Sequence, residues 1–201
     1  MTDYFALLNE PRRPWLDAGA LQEKFLKLAA ALHPDKQPLA TEADKNAANR
    51  GYAELNAAYH GLLEPKLRLR HLLELELGAK PNDVQQIPTT LADLFAEVAT
   101  ACQSTDVFLA EKSRVTSPLL QVQLFERAQK WIEQLIPLQK KLNELHKNLT
   151  SELKSLDGAW TKTDGAARKD LMRNLEELYR RFGYFNRWNG QIQERIVQLS
   201  L

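Results

Sequence analysis

The sequence predicts an all-α protein: a helical hairpin with short flanking helices near the N-terminus, followed by an antiparallel bundle of three longer helices. Three observations predict it. Apolar residues recur at spacings of three and four along most of the chain. No stretch shows the period-2 alternation of a half-buried strand. The 8 glycines and 9 prolines lie mainly between the periodic stretches, where they act as punctuation.

The first element, residues 3–8, is short and apolar (Tyr4, Phe5, Leu7, Leu8), and Pro11 and Pro14 end it. Asp17 suits the N-cap of a second helix. On that helix Leu21, Phe25, Leu28 and Leu32 form one apolar stripe, and Lys24 and Lys27 fall off it toward solvent. The residue before a proline is driven out of the α region, so His33-Pro34 ends the helix. A polar loop follows. Thr41 and Asp44 then read as a capping box for a third helix, from about 42 to 63, whose buried face is marked by Tyr52, Leu55, Ala58, Tyr59 and Leu62. Two helices of similar length joined by a short loop are expected to pack antiparallel. Pro65 fits the first position of a fourth helix carrying Leu69, Leu72, Leu73 and Leu77.

Residues 78–88 hold Gly78, Pro81, Asn82, Asp83 and Pro88 without periodicity and read as a linker between an N-terminal domain (1–77) and a C-terminal one (89–201). Whether that linker is packed or free stays open at this level. Three helical stretches follow, at roughly 89–112, 118–156 and 164–199. Thr116-Ser117-Pro118 starts the second of these. Pro137 is expected to kink it or split it, and Asp157-Gly158 with Thr163-Asp164-Gly165 to punctuate the turn into the third.

Composition excludes several function classes. The net charge is +1, so neither nucleic acid nor a membrane surface is indicated, and no apolar run is long enough for a span. No secretory signal is visible, which suggests a cytoplasmic protein. The single cysteine, Cys102, permits no internal disulfide and no CxxC zinc pair, and suits a small core filler. His60, His71 and His146 sit on separate helices, so no metal site is expected. Trp131, Trp160 and Trp188 read as core aromatics, not base-stacking platforms. No phosphate loop, nucleophile elbow or other catalytic constellation occurs, so the chain reads as no enzyme and implies no cofactor.

The informative motif is His33-Pro34-Asp35. Proline fixes where the chain leaves the helix, which puts an imidazole and a carboxylate on a stiff turn between two amphipathic helices. Such a carboxylate can accept charge-assisted hydrogen bonds from a partner arginine. His33 also fits a helix C-terminus, and Asp35 an Asx-turn. The motif, its position and the flanking helices resemble the J domain of the DnaJ superfamily. More closely, Asp3-Tyr4-Phe5, Pro14, Asp17, His33-Pro34-Asp35-Lys36, Leu55-Asn56-Ala57-Ala58-Tyr59, Pro65, Arg68 and Leu72-Leu73 resemble the HscB co-chaperones of iron–sulfur cluster assembly.

That resemblance implies a J domain followed by a client-binding three-helix bundle. It implies that His33, Pro34 and Asp35, with Lys24, Lys27 and Lys36 as the basic side, dock on a DnaK/HscA-type chaperone ATPase and stimulate it. It also implies that the bundle binds an iron–sulfur scaffold protein through an apolar and acidic face, here Leu91, Phe95 and Val98 with Tyr184 of the last helix. Taken singly, Leu91, Leu94, Phe95 and Val98, at helical spacing, fit bundle core better than a partner contact. An alternative is a helical adaptor whose J domain serves another client or a purely structural role.

Overall fold

A computed structural model describes residues 2–32, 41–81, 86–163 and 166–201, leaving aside the side chains of residues 118, 119, 166 and 167. His33, Pro34, Asp35 and Lys36, and residues 82–85 of the expected linker, lie outside the described residues. The fold is all-α. Its helices are α1 (Tyr4–Leu7), α2 (Ala18–Leu32), α3 (Glu42–Leu63), α4 (Pro65–Leu77), α5 (Ala92–Lys112), α6 (Pro118–Trp160) and α7 (Ala166–Ser200), with a 3-10 turn (Thr89–Leu91) leading into α5. No described helix is long and apolar enough to cross a membrane.

The chain forms two compact units: Met1–Asn82 with Ser151–Arg180, and Asp83–Thr150 with Arg181–Leu201. Residues 151–180, the end of α6 and the start of α7, therefore group with the N-terminal segment. The 78–88 stretch is not the only place where the units part.

In the first unit, local chemistry sets the helix starts. The Asp17 carboxylate accepts the Ala20 N–H at 2.8 Å. At α3 the capping box is complete: Thr41 Oγ1 accepts the Asp44 N–H, and the Asp44 carboxylate accepts the Thr41 N–H at 3.0 Å. Glu64 caps α4, with Pro65 in its first turn, and Gly78 closes it in the left-handed conformation at φ 69°.

α2 and α3 pack against each other. Phe25 stacks on Tyr59 at 4.3 Å between ring centroids. A Cβ on Gly51 would lie 3.8 Å from Leu32. Position 25 thus faces 59 while 32 faces 51, so the helices run antiparallel. The chain between Leu32 and Thr41, which carries the His-Pro-Asp motif, joins them. Leu21, Leu55, Ala58, Leu62, Leu69, Leu72 and Leu73 are buried as the periodicity predicts. Two expectations on the apolar faces are corrected: Tyr52 and Leu32 are 41% and 37% exposed.

The second unit is an up-down-up arrangement, read from its pairs. Glu97 with Lys141, Phe108 with Trp131 and Glu111 with Arg127 make α5 and α6 antiparallel. Gln139 with Gln193 and His146 with Phe185 do the same for α6 and α7. Its core includes Val98, Cys102, Phe108, Leu135, Leu142, Trp188 and Ile192.

Pro137 does not split α6, which runs unbroken from Pro118 to Trp160. Leu135, Leu138 and Leu142 are buried on both sides of it. Their burial outweighs the roughly 3 kcal/mol that an interior proline costs a helix. Asp157-Gly158 is likewise helical, not a turn.

Candidate functional site

Two regions hold the residues singled out by sequence. In the first unit, the hairpin presents the α2 lysines. Lys24 is committed: its ammonium pairs with Glu10 at 2.6 Å and donates to the Asn9 carbonyl at 3.1 Å. Asn9 sits at φ 52°, a left-handed conformation that asparagine tolerates well. Lys27 is exposed and has no ion-pair partner among the described residues. The two lysines, equivalent in the sequence, therefore differ. Lys24 braces the connection before α2, while Lys27 is exposed on the surface.

The N-terminal edge of this unit is fixed by Asp3. Its carboxylate caps α1 through the Phe5 N–H (3.0 Å) and Ala6 N–H (3.3 Å), and it accepts from Arg12 at 2.9 and 2.7 Å. Partial burial alone would raise this carboxyl. The arginine and the amides outweigh that effect and hold it below the usual value.

His71 was not a functional candidate by sequence, yet it is buried and holds α1. Its Nε2 accepts the Tyr4 N–H at 3.0 Å, and its ring stacks on Tyr4 at 4.3 Å. Burial lowers its pKa, with Asp3 and Glu74 acting in the opposite sense. Because Nε2 accepts, the neutral imidazole carries its proton on Nδ1.

The connection between α1 and α2 carries the least expected contacts. Arg68 is almost fully buried and donates to the Pro14 carbonyl at 2.7 Å and the Leu62 carbonyl at 2.5 Å. Desolvation lowers its pKa to about 10, with Glu64 and Asp157 opposing. Asp157, also buried, accepts both arms of the Arg13 guanidinium and the Trp15 N–H (3.1 Å). The Trp160 Nε1–H donates to the Arg12 carbonyl at 3.0 Å. Sequence reasoning placed Arg68 only within a family resemblance, and took Asp157 for a turn residue. No periodicity marks partners 142–148 positions apart.

In the second unit the four apolar candidates separate. Leu91, Val98 and Tyr184 are buried, at 5%, 1% and 8% exposure, within the core. This corrects the expectation of a Leu91–Phe95–Val98 surface patch with Tyr184: helical spacing put three of the four on the inward side. Phe95 is 41% exposed and lies 6.1 Å, ring to ring, from Trp188, which in turn stacks on Tyr184 at 5.5 Å. Asp93, two residues before Phe95, is exposed on a different side of α5. Tyr184 and Trp188 thus support Phe95 from beneath. The acidic Glu97 is occupied by Lys141 at 2.6 Å.

The remaining candidates are structural. Cys102 is buried, and burial pushes its thiol pKa up, the reverse of what a reactive thiolate needs. Trp160 and Trp188 are buried. Among the described residues no group of three histidine, cysteine or acidic side chains is placed to hold a metal.

Comparison with known proteins finds similarity in part of the sequence and in the fold. The chain is 40% identical over 72 residues to the "Co-chaperone protein HscB homolog" of Bordetella avium, a stretch covering 36% of this chain and 43% of that protein. It is 35% identical over 91 residues to the protein of that name in Shewanella loihica, covering 45% and 50%. The chain thus spans half or less of the length of these curated relatives. Among solved structures it is similar to chaperone HscB from Vibrio cholerae, with a TM-score of 0.65 and 21% identity over 98% of this chain and 99% of that one. It is also similar to human co-chaperone protein HscB, with a TM-score of 0.54 and 19% identity over 96% and 82%. At these identities the structural likeness is one of fold. No protein-family model matches the chain.

Proposed function

We propose that this chain is an HscB-type J-domain co-chaperone that stimulates a DnaK/HscA-type ATPase and delivers a client to it. The observation that carries this reading is the antiparallel α2–α3 hairpin with His33-Pro34-Asp35 in its connection, within a chain that is HscB-like in sequence and fold. The motif's imidazole and carboxylate would dock on the ATPase, with Lys27 and Lys36 as the basic side of the contact. Lys24 contributes through the brace it forms with Glu10. The chain supplies no catalytic group of its own, and we place it in the cytoplasm.

The test is a chaperone ATPase assay in which wild-type protein accelerates hydrolysis. His33→Gln abolishes the acceleration while circular dichroism stays unchanged. Full stimulation by that variant, with the fold intact, overturns the mechanism.

The client we assign is an iron–sulfur scaffold protein, bound at Phe95, with Trp188 and then Tyr184 stacked behind it. A pull-down with purified scaffold decides this. If wild-type protein captures no scaffold yet still stimulates the ATPase, the alternative stands: a J-domain adaptor with a different client.

A further inference from the structure

The first unit is not built from the N-terminal segment alone. Residues 12–15, which lead straight into the Asp17 cap of α2, are gripped from α6. Asp157 takes the Arg13 guanidinium and the Trp15 N–H, and Trp160 takes the Arg12 carbonyl. Lys154, one turn before Asp157, lies over the Trp15 ring at 5.0 Å. Farther along the same edge Arg168 pairs with Glu76 at 3.4 Å, and Lys66 sits over Tyr179 at 5.5 Å. On its other side the connection is tied to α2 itself, by Lys24 to Glu10 and Asn9.

We propose that Asp157 is a positioning residue for chaperone docking: by clamping residues 12–15 it fixes the heading of α2 against the end of α6. This rests on the function proposed above. The physical argument is one of degrees of freedom. A connection held only at its ends lets a helix swing. Here a buried carboxylate with three donors, an indole N–H and the Arg68 guanidinium hold its main chain at residues 12, 14 and 15 and the side chain of Arg13. A docking surface that swings is competent for only a fraction of the time, and its apparent affinity falls by that fraction. Asp157 touches no partner in this scheme. It acts through α2.

The test uses the full chain in a Cys102→Ala background, with spin labels at Lys27→Cys on α2 and Lys169→Cys on α7, both exposed positions of the first unit. The label-to-label distance distribution is narrow in the parent. Asp157→Asn, which keeps the shape but loses the charge-assisted pairing, is expected to widen it about twofold. Should that variant fail to fold, Trp160→Phe removes only the indole bond to Arg12 and widens the distribution less. A distribution as narrow as the parent's in whichever variant folds overturns the proposal.

In the ATPase assay, run well below every variant's melting temperature, the half-saturating concentration of Asp157→Asn rises roughly fivefold while maximal stimulation is retained. A merely structural role would lower the melting temperature and leave that concentration unchanged. If the unlabelled wild-type protein does not stimulate at all, the function proposed above fails, yet the distance measurement still decides the clamp.

Discussion

The Tyr4 backbone N–H donates to Nε2 of His71, 67 positions away, at 3.0 Å. This bond makes α1, a single turn too short to persist alone, part of the first unit. It also requires one protonation state. Protonated His71 has no lone pair at Nε2, and Asp3 Oδ1, 4.0 Å from that nitrogen, already accepts two amides.

Stability should therefore depend on pH through His71. Its folded pKa lies below the ordinary 6.5, so the folded state binds fewer protons than the unfolded one in that window. The contribution is complete above 6.5 and is lost as pH falls through the lower folded value. Asp3, whose pKa is lowered from 3.8, adds a loss of the same sign in stronger acid. Urea midpoints at neutral pH and in mild acid test this. His71→Gln, whose amide oxygen can still accept, should flatten the dependence. An equally steep loss in that variant excludes His71 as its source.

Gly61 should tolerate no side chain. A Cβ there would sit 2.9 Å from two carbons of the Tyr4 ring. Gly61→Ala is expected to cost about 1–3 kcal/mol by overpacking. Because the clash is with one ring, the loss should be non-additive with Tyr4→Ala, and the double variant less destabilised than the sum. Additive losses in a denaturation cycle would place the strain elsewhere.

Phe95 and Val98, neighbours on α5, should respond oppositely. Val98→Ala empties a buried site and should cost about 2 kcal/mol of stability. Phe95→Ala removes a ring that is 41% exposed; it should cost under about 1 kcal/mol but weaken capture of the scaffold protein roughly tenfold. Thermal melts beside binding isotherms separate the two. Unaltered binding in Phe95→Ala removes Phe95 from the client site.

Pro137 should be a stability defect that the fold carries. It leaves the Glu133 carbonyl without its helical N–H partner, although α6 continues through it. Pro137→Ala restores that bond and should raise stability by about 1–3 kcal/mol in chemical denaturation. A loss of stability would mean that the neighbouring core has come to depend on the ring's shape.

What the sequence by itself determined are features whose causes lie within four residues: the Asp17 cap, the Thr41–Asp44 box, the Pro65 start, the Gly78 stop and the spacing of the stripes. Hydrogen bonds of that range and steric limits on φ act before any tertiary contact forms, so residue types and spacing suffice to read them. The His-Pro-Asp motif and its family resemblance were legible for the same reason, being contiguous. Tertiary structure alone decided which edge of each stripe faces inward, burying Val98 and Tyr184 but leaving Phe95, Tyr52 and Leu77 outside. It alone paired Arg13 with Asp157 across 144 positions and turned an Asp-Gly pair from a turn signal into the anchor of a buried cluster. Those outcomes depend on which surfaces meet once the chain has folded, and a period of 3.6 carries no record of the partner.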